Sequence, residues 1–267
     1  MNTFIELNNK RTHFLDLGTG FPIVLLHGYM ESIEIWGEFA QELSNNFRVI
    51  CIDIPGHGKS EELEQKHSIE QLTKVTFDLL NELDIAKCFM IGHSMGGYIA
   101  LMFQKLFPEK LLGFSLFHSH PFADSEETKK KRIREIQFVN EGKKDLIATF
   151  NIPNAFANEN INSFQNDIEN VKKIALKTSE NGIIATLHAM INRPDLSIEL
   201  EETKIPFLFI LGKKDNYIDY DTIIQKIKLP INSELHLLKN SGHMGFIEEK
   251  ETSVKIICQF INTLSYE

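Results

Sequence analysis

The chain has 267 residues, of which 42% are hydrophobic and 24% are charged, and its formal net charge is −9. This length and composition predict a single α/β domain with a large core, and they exclude a disordered or fibrous protein. The acidic balance argues against a nucleic-acid binder, because phosphate contacts need a concentrated Lys/Arg surface. The basic run at 129–134 has helical spacing between acidic residues, so we interpret it as a solvated helix face.

The three cysteines, Cys51, Cys88 and Cys258, are widely spaced and form no CxxC or Cys/His ligand pattern. We therefore expect neither a disulfide framework nor a zinc site. No stretch reaches the roughly 18 apolar residues of a membrane span, and the first residues contain no cleavable apolar segment. The sequence predicts a cytoplasmic protein whose partner is a small molecule, and it leaves the oligomeric state open.

The first predicted elements are two alternating segments around Asn8 and Asn9, which indicate an opening β-hairpin. Six apolar runs then predict six further strands, and the first three are nearly continuous, as parallel strands covered on both faces require. The runs are 22–28, 47–55, 87–94, 110–119, 206–215 and 233–243. Apolar residues at three- and four-residue intervals predict a helix from Ser68 to about Asp84 and a closing helix in the last 20 residues.

Residues 120–200 interrupt this alternation of strands and helices. They contain helical segments at 127–142 and 162–177 but no convincing buried strand. Long crossover helices are the alternative, but the segment far exceeds the usual connection of about a dozen residues. We predict a helical lid at 120–200, inserted into an α/β core formed by 1–119 and 201–267.

The motif GHSMGG at 92–97 follows an apolar run and precedes a helical pattern, as the G-x-S-x-G nucleophile elbow does. Glycines at the motif's two ends allow the tight turn that leaves Ser94 strained and exposed. The following helix offers its N-terminal dipole and the Met95 N–H to the charge that develops on an attacked carbonyl oxygen. Taken alone, the motif also fits an ordinary strand–helix turn, so its partner residues decide the interpretation.

A serine nucleophile needs a histidine base that a carboxylate holds in the useful tautomer. His243 follows the last predicted strand, and Asp215 ends the preceding one, which gives the chain order of the motif. Asp124 is the alternative acid, and this order favours Asp215 over it. The second oxyanion N–H is expected in the loop after strand 22–28, where Tyr29 is the candidate.

We expect the substrate to contact Tyr29, Met95, His118 and Met244. His118 and His120 form an H-x-H pair, which could in principle ligate a metal. Two ligands without a nearby carboxylate are weak evidence, because catalytic zinc usually takes three protein ligands. No metal or cofactor is therefore predicted.

Five motifs together resemble the α/β-hydrolase superfamily over essentially the whole chain: HGYMES, DIPGHGKS, GHSMGG, GKKD and SGH. The resemblance implies an α/β fold with a mostly parallel eight-stranded sheet and helices on both faces. Ser94 resembles the esterase, cofactor-free haloperoxidase-like and carbon–carbon-bond hydrolase branches, whereas dehalogenases and epoxide hydrolases carry aspartate at that position. Met30 departs from the pattern, because many relatives have proline after H-G-x.

The leading hypothesis is hydrolysis of a small to medium, largely apolar ester through an acyl-enzyme on Ser94. Phenylalanines within 120–200 favour an apolar acyl or alcohol group. Carbon–carbon bond hydrolysis of a vinylogous diketone is the second hypothesis, with Arg193 as the candidate for binding a substrate carboxylate. A non-catalytic ligand-binding member of the fold is the third, because fold alone does not establish function.

Overall fold

The centre of the protein is an eight-stranded sheet, seen in a computed structural model that describes residues 2–63 and 66–264. The strands are β1 Asn2–Leu7, β2 Lys10–Leu17, β3 Pro22–Leu26, β4 Arg48–Ile52, β5 Cys88–His93, β6 Leu111–Phe117, β7 Phe207–Gly212 and β8 Ser233–Leu238. Their spatial order is β1-β2-β4-β3-β5-β6-β7-β8. The prediction of eight strands is confirmed, while the predicted core limits at 1 and 267 lie outside the described residues.

Strands β3 to β8 run parallel, and only the hairpin of β1 and β2 joins the sheet antiparallel. β5 and β7 are buried at every position, which is why their sequences are continuously apolar rather than alternating. Parallel strands bring their carboxyl ends to one edge of the sheet. The loops after β3, β5, β6, β7 and β8 therefore meet at that edge, where ligands bind in open α/β sheets.

Six helices belong to the core: α1 Gly37–Leu43, α2 Ile69–Glu82, α3 Met95–Leu106, α9 Tyr220–Lys226, α10 Gly245–Glu248 and α11 Lys250–Thr263. α2 begins at the predicted cap: the Ser68 side chain accepts from the Gln71 N–H, and the Gln71 side chain accepts from the Ser68 N–H. α11 is the predicted closing helix. Each helix within the described ranges is too short or too polar to cross a bilayer.

Five α-helices and one 3-10 turn at Asn158–Asn160 lie between β6 and β7; the α-helices are α4 Glu126–Asn140, α5 Lys144–Asn154, α6 Gln165–Lys177, α7 Glu180–Ile191 and α8 Ser197–Glu202. The predicted segments correspond to α4 and α6, whereas the sequence did not reveal α5 and α7. Pro153 lies inside α5 and obscures its pattern, because proline normally ends a helix. Most of the surface of α7 is buried, so it lacks the single apolar stripe of a surface helix.

A buried carboxylate after β4 joins the hairpin to the core. Asp53 is 1% exposed, and its oxygens accept the N–H groups of Ile33 at 2.7 Å and Lys59 at 2.8 Å. The third partner is His13 on β2, whose Nδ1 lies 2.6 Å from Asp53 Oδ2. A Cβ at Gly58 would lie 2.1 Å from Asp53 Oδ2, so the carboxylate fits only beside a glycine.

We expect Asp53→Ala to lower the free energy of unfolding by about 3–5 kcal/mol, because it leaves a buried N–H group, a part-buried N–H group and a buried histidine without their acceptor. Asp16→Ala is the matched control, since Asp16 pairs with Arg48 at 2.8 Å but its side chain is 30% exposed. That variant should cost about 0–1 kcal/mol. Urea unfolding measures both values, and equal losses in the two variants would contradict this role of Asp53.

Candidate active site

The residue between β5 and α3 is Ser94, with φ 49° and ψ −113°. A non-glycine residue with positive φ is uncommon, and such strain persists only where the surroundings impose it. Here the surroundings are tight: a Cβ at Gly92 would lie 2.3 Å from the Gly96 carbonyl oxygen. The turn therefore carries the predicted nucleophile to the carboxyl edge of the sheet.

The loop after β3 lies against the start of α3. A Cβ at Gly96 would lie 2.1 Å from the carbonyl oxygen of Leu26, the last residue of β3. Within the described ranges, neither the Tyr29 N–H nor the Met95 N–H donates to an acceptor. The two predicted oxyanion donors are thus free N–H groups on adjacent segments, one of them at a helix N-terminus, where an anion is stabilised.

Met30, the position that departs from the resemblance, has φ 57° and is 2% exposed. Proline is fixed near φ −65° and cannot adopt this conformation. The loop of this chain therefore has a backbone shape that a chain with proline at the same place cannot share.

Glu31 connects three parts of the site, and the sequence analysis missed it. Glu31 is 3% exposed, and its side chain accepts the Gly28 N–H at 2.6 Å. His93 Nδ1 lies 3.0 Å from Glu31 Oε2, while His93 Nε2–H donates to the His243 carbonyl oxygen at 3.0 Å. The sequence offered one signal for this contact: an acidic residue in the HGYMES loop and a histidine directly before Ser94.

The predicted acid and base are in contact. His243 Nδ1–H donates to Asp215 Oδ2 at 2.7 Å, and Asp215 Oδ1 accepts the N–H groups of Tyr217 at 2.8 Å and Ile218 at 3.0 Å. Burial alone would raise the pKa of Asp215, but the interactions with His243 and His118 outweigh it and lower that pKa. Burial alone would lower the pKa of His243, but the Asp215 carboxylate outweighs it and raises that pKa.

Among the described residues, Ser94 Oγ forms no hydrogen bond with His243. In unliganded enzymes this contact is often long and tightens only when substrate binds. The two segments are nevertheless neighbours, because the ring centroids of His93 and His243 are 4.9 Å apart.

Three predicted substrate contacts lie deeper than the sequence indicated, and one of them, Met95, has no exposed surface. His118 has no exposed surface and stands behind Asp215, with its Nδ1 3.3 Å from Asp215 Oδ2. Met244 is 2% exposed, at the start of α10. The structure therefore does not bring His118 to the surface that faces a substrate, and it leaves little of Met244 there.

Asp124, the alternative acid, lies in a different cluster. Its carboxylate accepts from Arg132 Nε at 2.7 Å and from Arg193 Nη1 at 2.6 Å. The Arg193 guanidinium also lies 3.9 Å from the centroid of the Tyr98 ring. Asp124 thus serves two arginines rather than His243. Arg132 departs from the solvated face predicted for the basic run, because it turns inward to this carboxylate.

The comparisons with known proteins agree with this architecture. A family model described as the alpha/beta hydrolase fold matches residues 22–250. The chain belongs to the α/β-hydrolase family. It is 27% identical over 263 residues to 2-hydroxy-6-oxononadienedioate/2-hydroxy-6-oxononatrienedioate hydrolase 1 of Pseudomonas putida, an alignment that covers 93% of this chain and 91% of the relative. The resemblance to this superfamily that the sequence motifs indicated is confirmed.

Solved structures give the same fold. A thermophilic esterase from Thermogutta terrifontis aligns with a TM-score of 0.94 and 25% identity, covering 100% of both chains. The enol-lactonase from Burkholderia xenovorans LB400 aligns with a TM-score of 0.90 and 22% identity, covering 97% of this chain and 100% of the other. The protein is a hydrolase of the α/β fold.

In this α/β hydrolase the segment between β6 and β7 contacts the loop that carries His243. The His243 N–H donates to the Ala155 carbonyl oxygen at 2.6 Å. Glu248 of α10 accepts the Ala157 N–H at 2.8 Å, and Tyr217 Oη donates to the Asn151 carbonyl oxygen at 2.7 Å. The position of the predicted base therefore depends on the end of α5.

Within the described residues, His118, Asp215 and His243 hold possible metal-ligand atoms within 4.8 Å of one another. The hydrogen bonds of His243 and the contact of His118 with Asp215 account for this closeness. The expectation that the α/β hydrolase uses no metal or cofactor stays a prediction.

We expect Glu31→Leu to lower the free energy of unfolding of the α/β hydrolase by about 3 kcal/mol, because it removes the buried partner of His93 and of the Gly28 N–H. Glu38→Leu is the control, since Glu38 is exposed and pairs with Lys250 at the surface. Urea unfolding measures both free energies, and the comparison holds when the two variants show the same dependence of that free energy on urea concentration. An unchanged stability in Glu31→Leu would refute the connecting role of this carboxylate.

Proposed function

We propose that this α/β hydrolase cleaves small to medium, largely apolar carboxylic esters through a Ser94–His243–Asp215 triad. The observation that carries the proposal is the buried contact between His243 and Asp215 at the sheet edge where the strained Ser94 turn also lies. A serine hydroxyl becomes an effective nucleophile only with such a base and orienting acid. The small-molecule substrate and the cytoplasmic location belong to the same proposal.

In the proposed reaction, His243 Nε2 accepts the Ser94 proton while Oγ attacks the ester carbonyl. The N–H groups of Tyr29 and Met95 stabilise the oxyanion, and His243 then returns the proton to the leaving alcohol. Water, activated by the same histidine, releases the acid from Ser94. The ionised Asp215 stabilises the imidazolium that forms in both halves.

We also propose that residues 120–200 act as a lid over this site. The support is the set of contacts between the end of α5 and the His243 loop, together with Tyr217, whose ring centroid is 5.3 Å from that of His243. Tyr217 also bonds to Asn151, and the Asn151 amide donates to Glu135 of α4 at 3.3 Å. The inserted helices thus form a continuous set of contacts down to the base.

Carbon–carbon bond hydrolysis is the second candidate. The observation that favours it is the similarity, over 93% of this chain, to a protein named as a 2-hydroxy-6-oxononadienedioate hydrolase. Arg193, the predicted carboxylate-binding residue, is held by Asp124, but its Nη2 is buried and has no partner within the described ranges. Because Asp124 already neutralises Arg193 and the free nitrogen is buried, this arginine is poorly placed to bind a substrate carboxylate. The ester is therefore the better-supported substrate.

We expect a fluorophosphonate probe to label the wild type and to label neither Ser94→Ala nor His243→Ala, because phosphonylation needs the activated hydroxyl. Ser44→Ala is the matched serine control and should still be labelled, because Ser44 lies at the end of α1 and its hydroxyl donates to the Gln41 carbonyl oxygen. The wild type should turn over short p-nitrophenyl esters, and 2-hydroxy-6-oxononadienedioate serves as the competing substrate. Faster turnover of the dienedioate would favour the second candidate, while an unlabelled, inactive wild type would favour a ligand-binding protein.

The raised pKa of His243 predicts a specific pH dependence. The base works only when unprotonated, so kcat/KM should rise with pH through a pKa above the ordinary histidine value of 6.5. Asp215→Asn removes the charge that raises this pKa while burial still lowers it. In the variant, the rise of kcat/KM with pH, which is the acidic limb of the profile, should therefore occur at lower pH. Its kcat should be reduced by about 10³–10⁴-fold.

The pH profile of p-nitrophenyl ester hydrolysis measures both effects. His236→Asn is the control, because His236 lies on β8 and pairs with Glu234 away from the site. It should leave the limb in place. An acidic limb that stays unchanged in Asp215→Asn would contradict the assignment of the acid.

A further inference from the structure

We propose that His118 is a positioning residue for the acid of the triad, a neutral imidazole whose Nδ1–H lies beside the Asp215 carboxylate while its Nε2 accepts from the start of α10. The proposal rests on the proposed function, in which Asp215 orients His243. Asp215 Oδ2 then faces two imidazole nitrogens: it accepts the Nδ1–H of the base at 2.7 Å, and His118 Nδ1 lies 3.3 Å away, an electrostatic contact without hydrogen-bond geometry.

The neighbours of the His118 ring fix which nitrogen carries the proton. Nε2 accepts the Gly245 N–H at 3.2 Å, and a backbone N–H can only donate. Nε2 is therefore unprotonated, so the proton of a neutral ring is on Nδ1, which faces Asp215. Burial lowers the pKa of His118 to about 4 and keeps the ring neutral at pH 7.

The backbone and two glycines provide the space for this ring. His118 follows β6 with φ 49°, a conformation that histidine and asparagine adopt more readily than most residues. A Cβ at Gly245 would lie 2.4 Å from His118 Nε2, and a Cβ at Gly212 would lie 2.8 Å from its Cε1. The His118 ring occupies space that side chains at these two positions would fill, so the glycines allow the ring to lie here.

The consequence concerns how the acid acts during the reaction. Two backbone N–H groups donate to Oδ1 of Asp215, and the His118 Nδ1–H dipole lies beside Oδ2, so both oxygens favour the orientation that faces His243. A neutral donor also stabilises the ionised acid without adding a second positive charge beside the base.

Removal of His118 changes the pKa of the base in a definite direction. Without its donor, Asp215 becomes more basic and attracts the His243 proton more strongly, so the pKa of His243 rises. Other titratable groups that interact with this cluster come from the loop after β3, from β5, from the loop after β7 and from α10: Glu31, His93, Tyr217 and Glu248. All of these remain in the His118 variants.

The test compares His118→Leu, which fills similar space without a donor, with His118→Asn, whose amide can donate near the Nδ1 position. We expect His118→Leu to lower kcat by about 10–100-fold with little change in KM, and to move the acidic limb to higher pH. His118→Asn should recover most of the kcat and the wild-type limb. Equal kcat and equal limbs in His118→Leu and the wild type would overturn the proposal.

Proton and nitrogen NMR of the wild type give a readout that needs no variant. We expect His118 as the Nδ1–H tautomer, with a downfield proton and an unprotonated Nε2; the Nε2–H tautomer would overturn the proposal even if His118→Leu fails to fold. Fluorophosphonate labelling of the same wild-type sample separates the two claims. An unlabelled wild type refutes the triad, whereas a labelled, active wild type with the wrong tautomer refutes only the role of His118.

Discussion

The close approach of α3 to the ends of β3 and β5 is the constraint on which the rest of the site depends. Glycines at 92 and 96 let the helix begin where any side chain would strike a backbone carbonyl. Because the helix begins there, Ser94 takes its positive φ, the Met95 N–H points out of the first turn, and the loop after β3 lies beside both. A chain that opened this turn would lose all three features together.

Buried carboxylates then hold the loops that meet at this edge. Glu31, Asp53 and Asp215 each accept at least one backbone N–H and each contact a histidine. Burying a charge is costly unless hydrogen bonds satisfy it, so each carboxylate fixes its surroundings in one arrangement. Each of these carboxylates therefore connects a loop at this edge to a histidine on another segment.

The sequence predicted the parts of this protein that depend on local pattern. Continuous apolar runs revealed the strands, and the motif around Ser94 together with chain order singled out Asp215 and His243. The environment of His118 depends on packing between segments far apart in the chain, and no periodicity encodes it. The inward turn of Arg132 to Asp124 is similar, because a basic run on a helix has the same pattern whether one of its members faces solvent or a buried acid.

The single tryptophan of the chain lies beneath this edge. Trp36 is 1% exposed, its ring centroid is 4.7 Å from that of Phe246 in α10, and it meets His93 edge-on at 6.3 Å. Indole emission depends on the polarity and packing of its surroundings. The protein consequently contains its own optical reporter, through which rearrangement of the elbow or of the base loop becomes visible as a change in intrinsic fluorescence without an added dye.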